Sequence, residues 1–351
     1  MSGTPALEPL PPGIRTAGDY EAHARARLQA QAWAYFDGTA GRGLTRGANR
    51  AAWDALSLWP RMLRATPTVD LSTTLLGRTW PSPLLVAPMA LQRLAHADGE
   101  LATALAAAMQ GAGMVLSLQT SVAAATVADA VRAEPARGPL WFQLSLLQDR
   151  GATLEQVRRA EAAGYEALVL TVDATLRAPR PLALPLQVGA VELPHPPVFH
   201  PAPSWDDVAW LRAQARLPLL LKGVLHPGDA REASRLGVAG LIISNHGGRI
   251  LDGAVATATA LPAVADAVGN ELVLLVDGGL SSGTDVLKAL ALGARAVLLG
   301  RPVLWGLACA GAAGAAHVLR LIRDELALAA AQCGLRSIAT ATAELIHPTS
   351  V

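Results

Sequence analysis

Eight short apolar runs recur along most of this chain at a near-constant pitch, and few folds can bury eight such runs. They begin at Leu84 (LLVAP), Met114 (MVLSL), Leu140 (LWFQLSL), Ala167 (ALVLTVD), Leu217 (LPLLLKG), Gly240 (GLIISN), Glu271 (ELVLLVDGG) and Ala296 (AVLLGRP). Each is almost continuously apolar rather than alternating, which is the pattern of a strand covered on both faces in a parallel sheet. Between them lie helical patterns such as GELATALAAAMQGAG, TLEQVRRAEAAG and GTDVLKALALGA. Several of these close on Gly, where a helix C-terminus favours a left-handed residue.

Eight strand–helix units predict an α/β fold, a (β/α)8 TIM barrel. The barrel is expected over 84–351. Residues 1–83 are expected to form an N-terminal cap, helical around Tyr20 to Ala34 and then irregular, the whole making one structural domain. Successive runs start 23 to 31 residues apart except once, where the fourth and fifth are 50 apart. That interval holds 177–203, a stretch with eight of the 24 prolines, and reads as a long loop after the fourth strand. Loops of that length are commonly functional.

Composition narrows the function. Hydrophobic residues make up 52% and charged residues 16%, against roughly 25% charged in an average globular protein, which excludes a disordered chain. With 29 basic and 28 acidic residues, no electrostatic footprint for nucleic acid or an anionic membrane is present. No run of 18 apolar residues suggests a membrane span, and the opening residues lack a secretory pattern; a soluble, cytoplasmic protein is expected. Cys309 and Cys333 have no partner spacing and are expected to be core thiols, and no metal site is expected. Only Lys222 and Lys288 are lysines among the 29 basic residues.

Barrel enzymes carry their sites at the C-terminal ends of the strands. The residues ending these runs are Ala87-Pro88-Met89, Ser117, Gln143 and Ser145, Thr171 and Asp173, Lys222, Ser244-Asn245-His246, Asp277-Gly278-Gly279 and Gly300-Arg301. A Lys after LPLLL and an Asp after LVLTV are costly unless paired, so a functional ring is expected. The glycines at 278, 279 and 300, the Ser281-Ser282-Gly283 helix start and Arg301 together suggest a phosphate site. His246, at a strand end, suits proton abstraction near neutral pH, with Asp173 to orient it and Arg249 to clamp a carboxylate. The histidines at 23, 195, 200, 226, 317 and 347 are expected to be structural.

SNHGGRILDG, DGGLSSGTDVLKALALGARAVLLGRP, LTVD at 170–173, LLLKG at 219–223 and APMALQRLAHADGE at 87–100 together resemble the FMN-dependent 2-hydroxy acid oxidase and dehydrogenase family, which includes glycolate, lactate and mandelate oxidases. The resemblance runs from about Tyr20 to Ile346. It implies FMN as cofactor, a 2-hydroxy acid as substrate, oxygen or another electron acceptor, and a homotetramer. By resemblance His246 is the base, Asp173 its carboxylate partner, and Lys222 the lysine beside flavin N1 and O2. Arg249, Arg180 and Tyr35 match the groups that hold the substrate carboxylate. Ser117, Gln143, Thr171 and Ser244 match the flavin surroundings, Ala87, Pro88, Met89 and Ala90 the first-strand backbone beside it. Asp277, Gly278, Gly279, Gly300 and Arg301 match its ribityl and phosphate end.

The chain departs from the family at three places. Phe142-Gln143-Leu144-Ser145 stands where FQLY is common, Gln119 where many relatives have an aromatic, and Ser281 where an arginine is often found near the phosphate. Ser145 and Gln119 make a wider, more polar substrate pocket, which suggests a bulky or functionalised, mandelate-like acid. The alternatives are an atypical flavin reaction such as oxidative decarboxylation of a specialised metabolite, or a weakly active flavin-binding protein.

Overall fold

The computed structural model describes residues 8–64, 68–174 and 198–347. Eight parallel strands close into a barrel: β4 (Leu84–Val86), β5 (Gly113–Ser117), β6 (Leu140–Leu144), β7 (Leu168–Thr171), β8 (Leu219–Val224), β9 (Gly240–Ile243), β10 (Val273–Val276) and β11 (Ala296–Leu299). Every apolar run read from the sequence coincides with one of them, with ends extending at most one residue beyond the run. Each is followed by a helix: α4 (Gly99–Met109), α5 (Ala124–Arg132), α6 (Arg150–Ala163), α7 (Trp205–Gln214), α8 (Pro227–Arg235), α9 (Thr257–Val268), α10 (Gly283–Ala291) and α11 (Arg301–Gln332). Side chains in a strand alternate in direction. One set, with Leu84, Val86, Met114, Leu116 and Phe142, packs outward with the helices. The other, with Leu85, Val115, Trp141, Val169, Leu220, Ile242, Leu275 and Leu298, fills the barrel interior.

That period of two places the site. Two residues beyond each interior residue stands the next inward position, giving Ala87, Ser117, Gln143, Thr171, Lys222, Ser244, Asp277 and Gly300 in one ring at the C-terminal mouth. Two residues further, Met89, Gln119, Ser145, Asp173, His246 and Gly279 extend it. The ring therefore follows from strand geometry alone.

The segment before the barrel is more ordered than its sequence suggests. Besides α1 (Tyr20–Arg27) and α2 (Ala30–Asp37), it contains a third helix, α3 (Leu44–Ala55), and a hairpin of β2 (Thr73–Leu75) and β3 (Arg78–Trp80). α3 reads as irregular because two of the three residues it buries, Thr45 and Asn49, are polar, while Leu44 at its start is exposed. The hairpin sits at the N-terminal mouth, where Leu75 and Trp80 join the interior cluster and Trp80 meets Trp141 edge-on at 5.6 Å. α2 and α3 lie at the opposite mouth. A short antiparallel pair, β1 (Ser57–Leu58) with β12 (Ile346–His347), ties the start of the chain to its end.

α11 departs from the expectation that no segment resembles a membrane span. It is long and apolar enough to cross one, but 78% of its most apolar stretch is buried in the protein, against α4 and α10. It also breaks at Ala310 and Gly311, which leave helical geometry. Both cysteines are buried and free. Most of loop 177–203, with Arg180 and His195, lies outside the described residues.

Candidate active site

A cavity of about 1020 Å³ opens at the C-terminal mouth, at the upper end of the range for small-molecule sites. Its wall includes Tyr35, Ala87, Pro88, Met89, Ala90, Ser117, Gln119, Gln143, Ser145, Thr171, Lys222, His246, Arg249, Asp277, Gly278, Gly279, Gly300 and Arg301. Of the described residues expected at the site, Asn245, Ser282 and Gly283 do not border it, and neither do Asp173 and Ser244. Those two stand immediately behind and bond to residues that do.

Lys222 is 4% exposed. Its Nζ donates to Ser244 Oγ at 2.8 Å and pairs with Asp277 Oδ2 at 2.8 Å. Burial works against the ammonium, but Asp277 and Asp173 more than offset it and hold the lysine pKa above its ordinary value. A fixed, compact positive charge at the barrel mouth results.

His246 Nδ1 lies 3.0 Å from Asp173 Oδ1, and its backbone N–H donates to Ser244 Oγ at 3.0 Å. Burial opposes ionisation of Asp173, yet His246 and Lys222 hold its carboxyl below the usual carboxylate range. An ionised carboxylate only accepts, so Nδ1 carries a proton, and in the neutral ring Nε2 presents its lone pair. His246 adopts φ of +56°, a left-handed conformation that costs a non-glycine residue on the order of 1 kcal/mol or more. The strained backbone is pinned by the reciprocal amide pair of Asn245 with Asn49, at 2.8 Å in both directions.

Gln143 Nε2 donates to Thr171 Oγ1 at 3.0 Å and lies 3.4 Å from Ser145 Oγ. Among the described residues, Asp173 Oδ2 and Asp277 Oδ1 are buried without a hydrogen-bond partner; Asp277 borders the cavity, where this costly condition points to a polar ligand. Gly278 and Gly279 take φ of +92° and +81°, which brings bare backbone to the cavity. A polar ring, a buried cation and a glycine-walled end fit the planar, hydrogen-bonding and phosphorylated parts of FMN.

Two expectations need correction. The N-terminus of α10 is already filled with carboxylates. Ser281 N and Ser282 N donate to Asp285 Oδ2, and Gly283 N donates to Glu325 Oε2 at 2.8 Å. It offers no open anion site, because Glu325 arrives from a distant part of the chain. Arg301 and Arg249 also have structural duties at the C-terminus of α2. Arg301 donates to Phe36 O, Gly247 O and Gly38 O, and Arg249 to Tyr35 O, Phe36 O and Gly38 O. Helix-end carbonyls favour cations. Burial, with Arg46 and Arg249 nearby, pulls the Arg301 pKa down to about 10.

The residues missed by sequence reading come from α3: Asn49, Arg50 and Arg46 all border the cavity. Their signal was the polar stripe Thr45-Asn49-Trp53. Among the histidines expected to be structural, His226 caps α8 and His317 bonds Tyr20 at 2.8 Å. His96, which drew no expectation, pairs with Glu8.

A closed (β/α)8 barrel with a cation, a carboxylate-oriented histidine and a glycine-walled end defines a flavin-dependent oxidoreductase. Residues 24–348 match the model of the FMN-dependent dehydrogenases, and the chain belongs to the FMN-dependent 2-hydroxy acid oxidase and dehydrogenase family. It is 42% identical to an L-lactate oxidase of Nostoc sp. (strain PCC 7120) over 94% of this chain and 97% of that one. It is 38% identical to 2-hydroxyacid oxidase 1 of Homo sapiens over 93% and 95%. A mandelate oxidase variant solved with (S)-mandelic acid superposes with a TM-score of 0.89 at 39% identity, covering 96% of this chain and 99% of that one. The protein is thus an oxidoreductase of 2-hydroxy acids with FMN as its cofactor.

Proposed function

We propose that this protein oxidises a bulky or functionalised, mandelate-like 2-hydroxy acid to the 2-oxo acid, with His246 as the base. The observation that carries this reading is the 3.0 Å contact between His246 Nδ1 and Asp173 Oδ1, which leaves Nε2 as the basic nitrogen at the cavity. Nε2 takes the substrate hydroxyl proton, and the ionised Asp173 stabilises the imidazolium that forms. Bound FMN would supply, at N5, a two-electron acceptor for the hydride of the α-carbon, and Lys222 would set its fixed ammonium against the negative charge that reduction adds. Tyr35 and Arg249 receive the substrate carboxylate, with Arg180 as a further candidate. Ser117, Gln143 and Thr171, which border the cavity, would hold the polar edges of the cofactor ring, and Gly278, Gly279 and Gly300 its phosphorylated end.

Ser145 and Gln119 leave room for a large substrate. Both border the cavity, and neither fills it as an aromatic side chain would. Ser145 is also too short to bond the reacting oxygen without water, so oxidative decarboxylation remains the second reading.

The test is the visible spectrum of the purified protein, followed anaerobically as 2-hydroxy acids are added. Bleaching by mandelate-like acids at lower concentration than by lactate or glycolate supports the assignment; preferential bleaching by the small acids rejects it. Admitting air separates oxygen from another acceptor, and release of CO2 without free 2-oxo acid favours decarboxylation. His246→Ala is expected to lower turnover by roughly 10²–10⁴-fold.

A further inference from the structure

The loops after the seventh and eighth strands are the usual phosphate end of a barrel site, and here several of their donors are engaged within the protein. Asp285 and Glu325 take the backbone N–H groups of residues 281–283, and Arg301 donates to three carbonyls. In the cavity-lining stretch 277–281, Ser281 carries the one side-chain hydroxyl.

That hydroxyl is held from α3. Arg50 Nη1 donates to Ser281 Oγ at 3.0 Å and to Gly279 O at 2.7 Å. A hydroxyl that accepts from a guanidinium turns its own O–H away from that donor, and the bond it accepts polarises it. Arg50 is anchored on both sides. It bonds Asp285 through Nη1 and Nη2, each at 2.7 Å, and Asp54 through Nε and Nη2 at 3.0 and 2.8 Å. A guanidinium has five N–H donors; Nη1, with two of them, faces three acceptors and so shares one hydrogen between two, and the six contacts together engage all five. Arg50 therefore has no N–H left to donate to a ligand.

We propose that the Ser281 hydroxyl donates to the phosphate of bound FMN, and that Arg50 is the positioning residue that fixes this hydroxyl and the Gly279 carbonyl. Cofactor recognition in this chain thus depends on α3, a helix that precedes the barrel. The proposal does not depend on which 2-hydroxy acid is oxidised.

The test compares FMN with riboflavin, which lacks the phosphate, by fluorescence titration of the full-length apoprotein. Ser281→Ala is expected to raise the Kd for FMN about 10–100-fold, the worth of one hydrogen bond to a charged group, while leaving that for riboflavin within about twofold. Ser281→Thr keeps the hydroxyl and is expected to restore FMN selectivity. Arg50→Lys cannot reproduce the double fork; it is expected to lose FMN selectivity as Ser281→Ala does, and the double variant to lose no more. An unchanged ratio of FMN to riboflavin affinity in Ser281→Ala overturns the proposal, whether both affinities fall together or neither moves. If Arg50→Lys does not fold, the two Ser281 variants decide alone.

Discussion

His246 and Asp173 stand 73 positions apart in the chain, yet their side chains meet at 3.0 Å because each stands four residues beyond an interior residue, Ile242 and Val169. Asp173→Asn is expected to lower kcat by about 10²–10⁴-fold, since a neutral amide neither selects the Nδ1–H tautomer nor stabilises the imidazolium. Steady-state kinetics on the variant, with its flavin spectrum as a control for loading, decides this. Turnover within threefold of the parent would remove Asp173 from the mechanism.

Lys222 pairs with Asp277 at 2.8 Å and attracts Asp173 at longer range. Lys222→Met strands Asp277 and leaves Asp173 to His246 alone, and is expected to destabilise the protein by about 3–5 kcal/mol. The lysine pKa is raised in the folded state. Its stabilisation is therefore complete below the unfolded value of about 10.4 and is lost as pH climbs through the higher folded value. Urea denaturation of both proteins at neutral pH checks the magnitude.

Trp80 plugs the mouth opposite the site and is 1% exposed. Trp80→Ala is expected to cost about 3–5 kcal/mol through the lost contact with Trp141 and the cavity left behind. The turnover of the folded fraction should be unchanged. A fall in kcat without a fall in melting temperature contradicts the assignment of this residue to stability alone.

Asp207 caps α7 from a capping box with Ser204 and pairs with Arg150 at 2.7 Å. Arg150, then the Ser204 backbone, hold its pKa down to about 2, below the unfolded value of about 3.9. A depressed carboxylate contributes stability above the unfolded value and loses it as pH falls toward the folded one, so its share disappears between about pH 4 and pH 2. Asp207→Asn is expected to cost about 1 kcal/mol at neutral pH and to flatten the acid limb. Melting curves from neutral pH downward in the two proteins provide the comparison.

The candidate site was unevenly legible. Ala87, Ser117, Gln143, Thr171, Lys222, Ser244, Asp277 and Gly300 each end an apolar run, and polar residues at such positions are visible without a structure. The helix α3 was not, because Thr45 and Asn49 sit on its buried face and hide the stripe. Nor was the filling of the α10 N-terminus, since Glu325 lies 42 positions from Gly283. The role of Phe36 and Gly38 carbonyls in holding Arg249 and Arg301 is likewise absent from any local pattern.

The sequence alone determined the barrel and the inward ring. Strands buried on both faces must be continuously apolar, and a period of two dictates which residue meets the axis. Tertiary structure decided how each charge is engaged. Whether an arginine faces a helix end or a ligand, and whether a helix start is open or already holds a carboxylate, depends on groups brought together from distant segments. Electrostatic energies follow distance and burial in space, not separation along the chain.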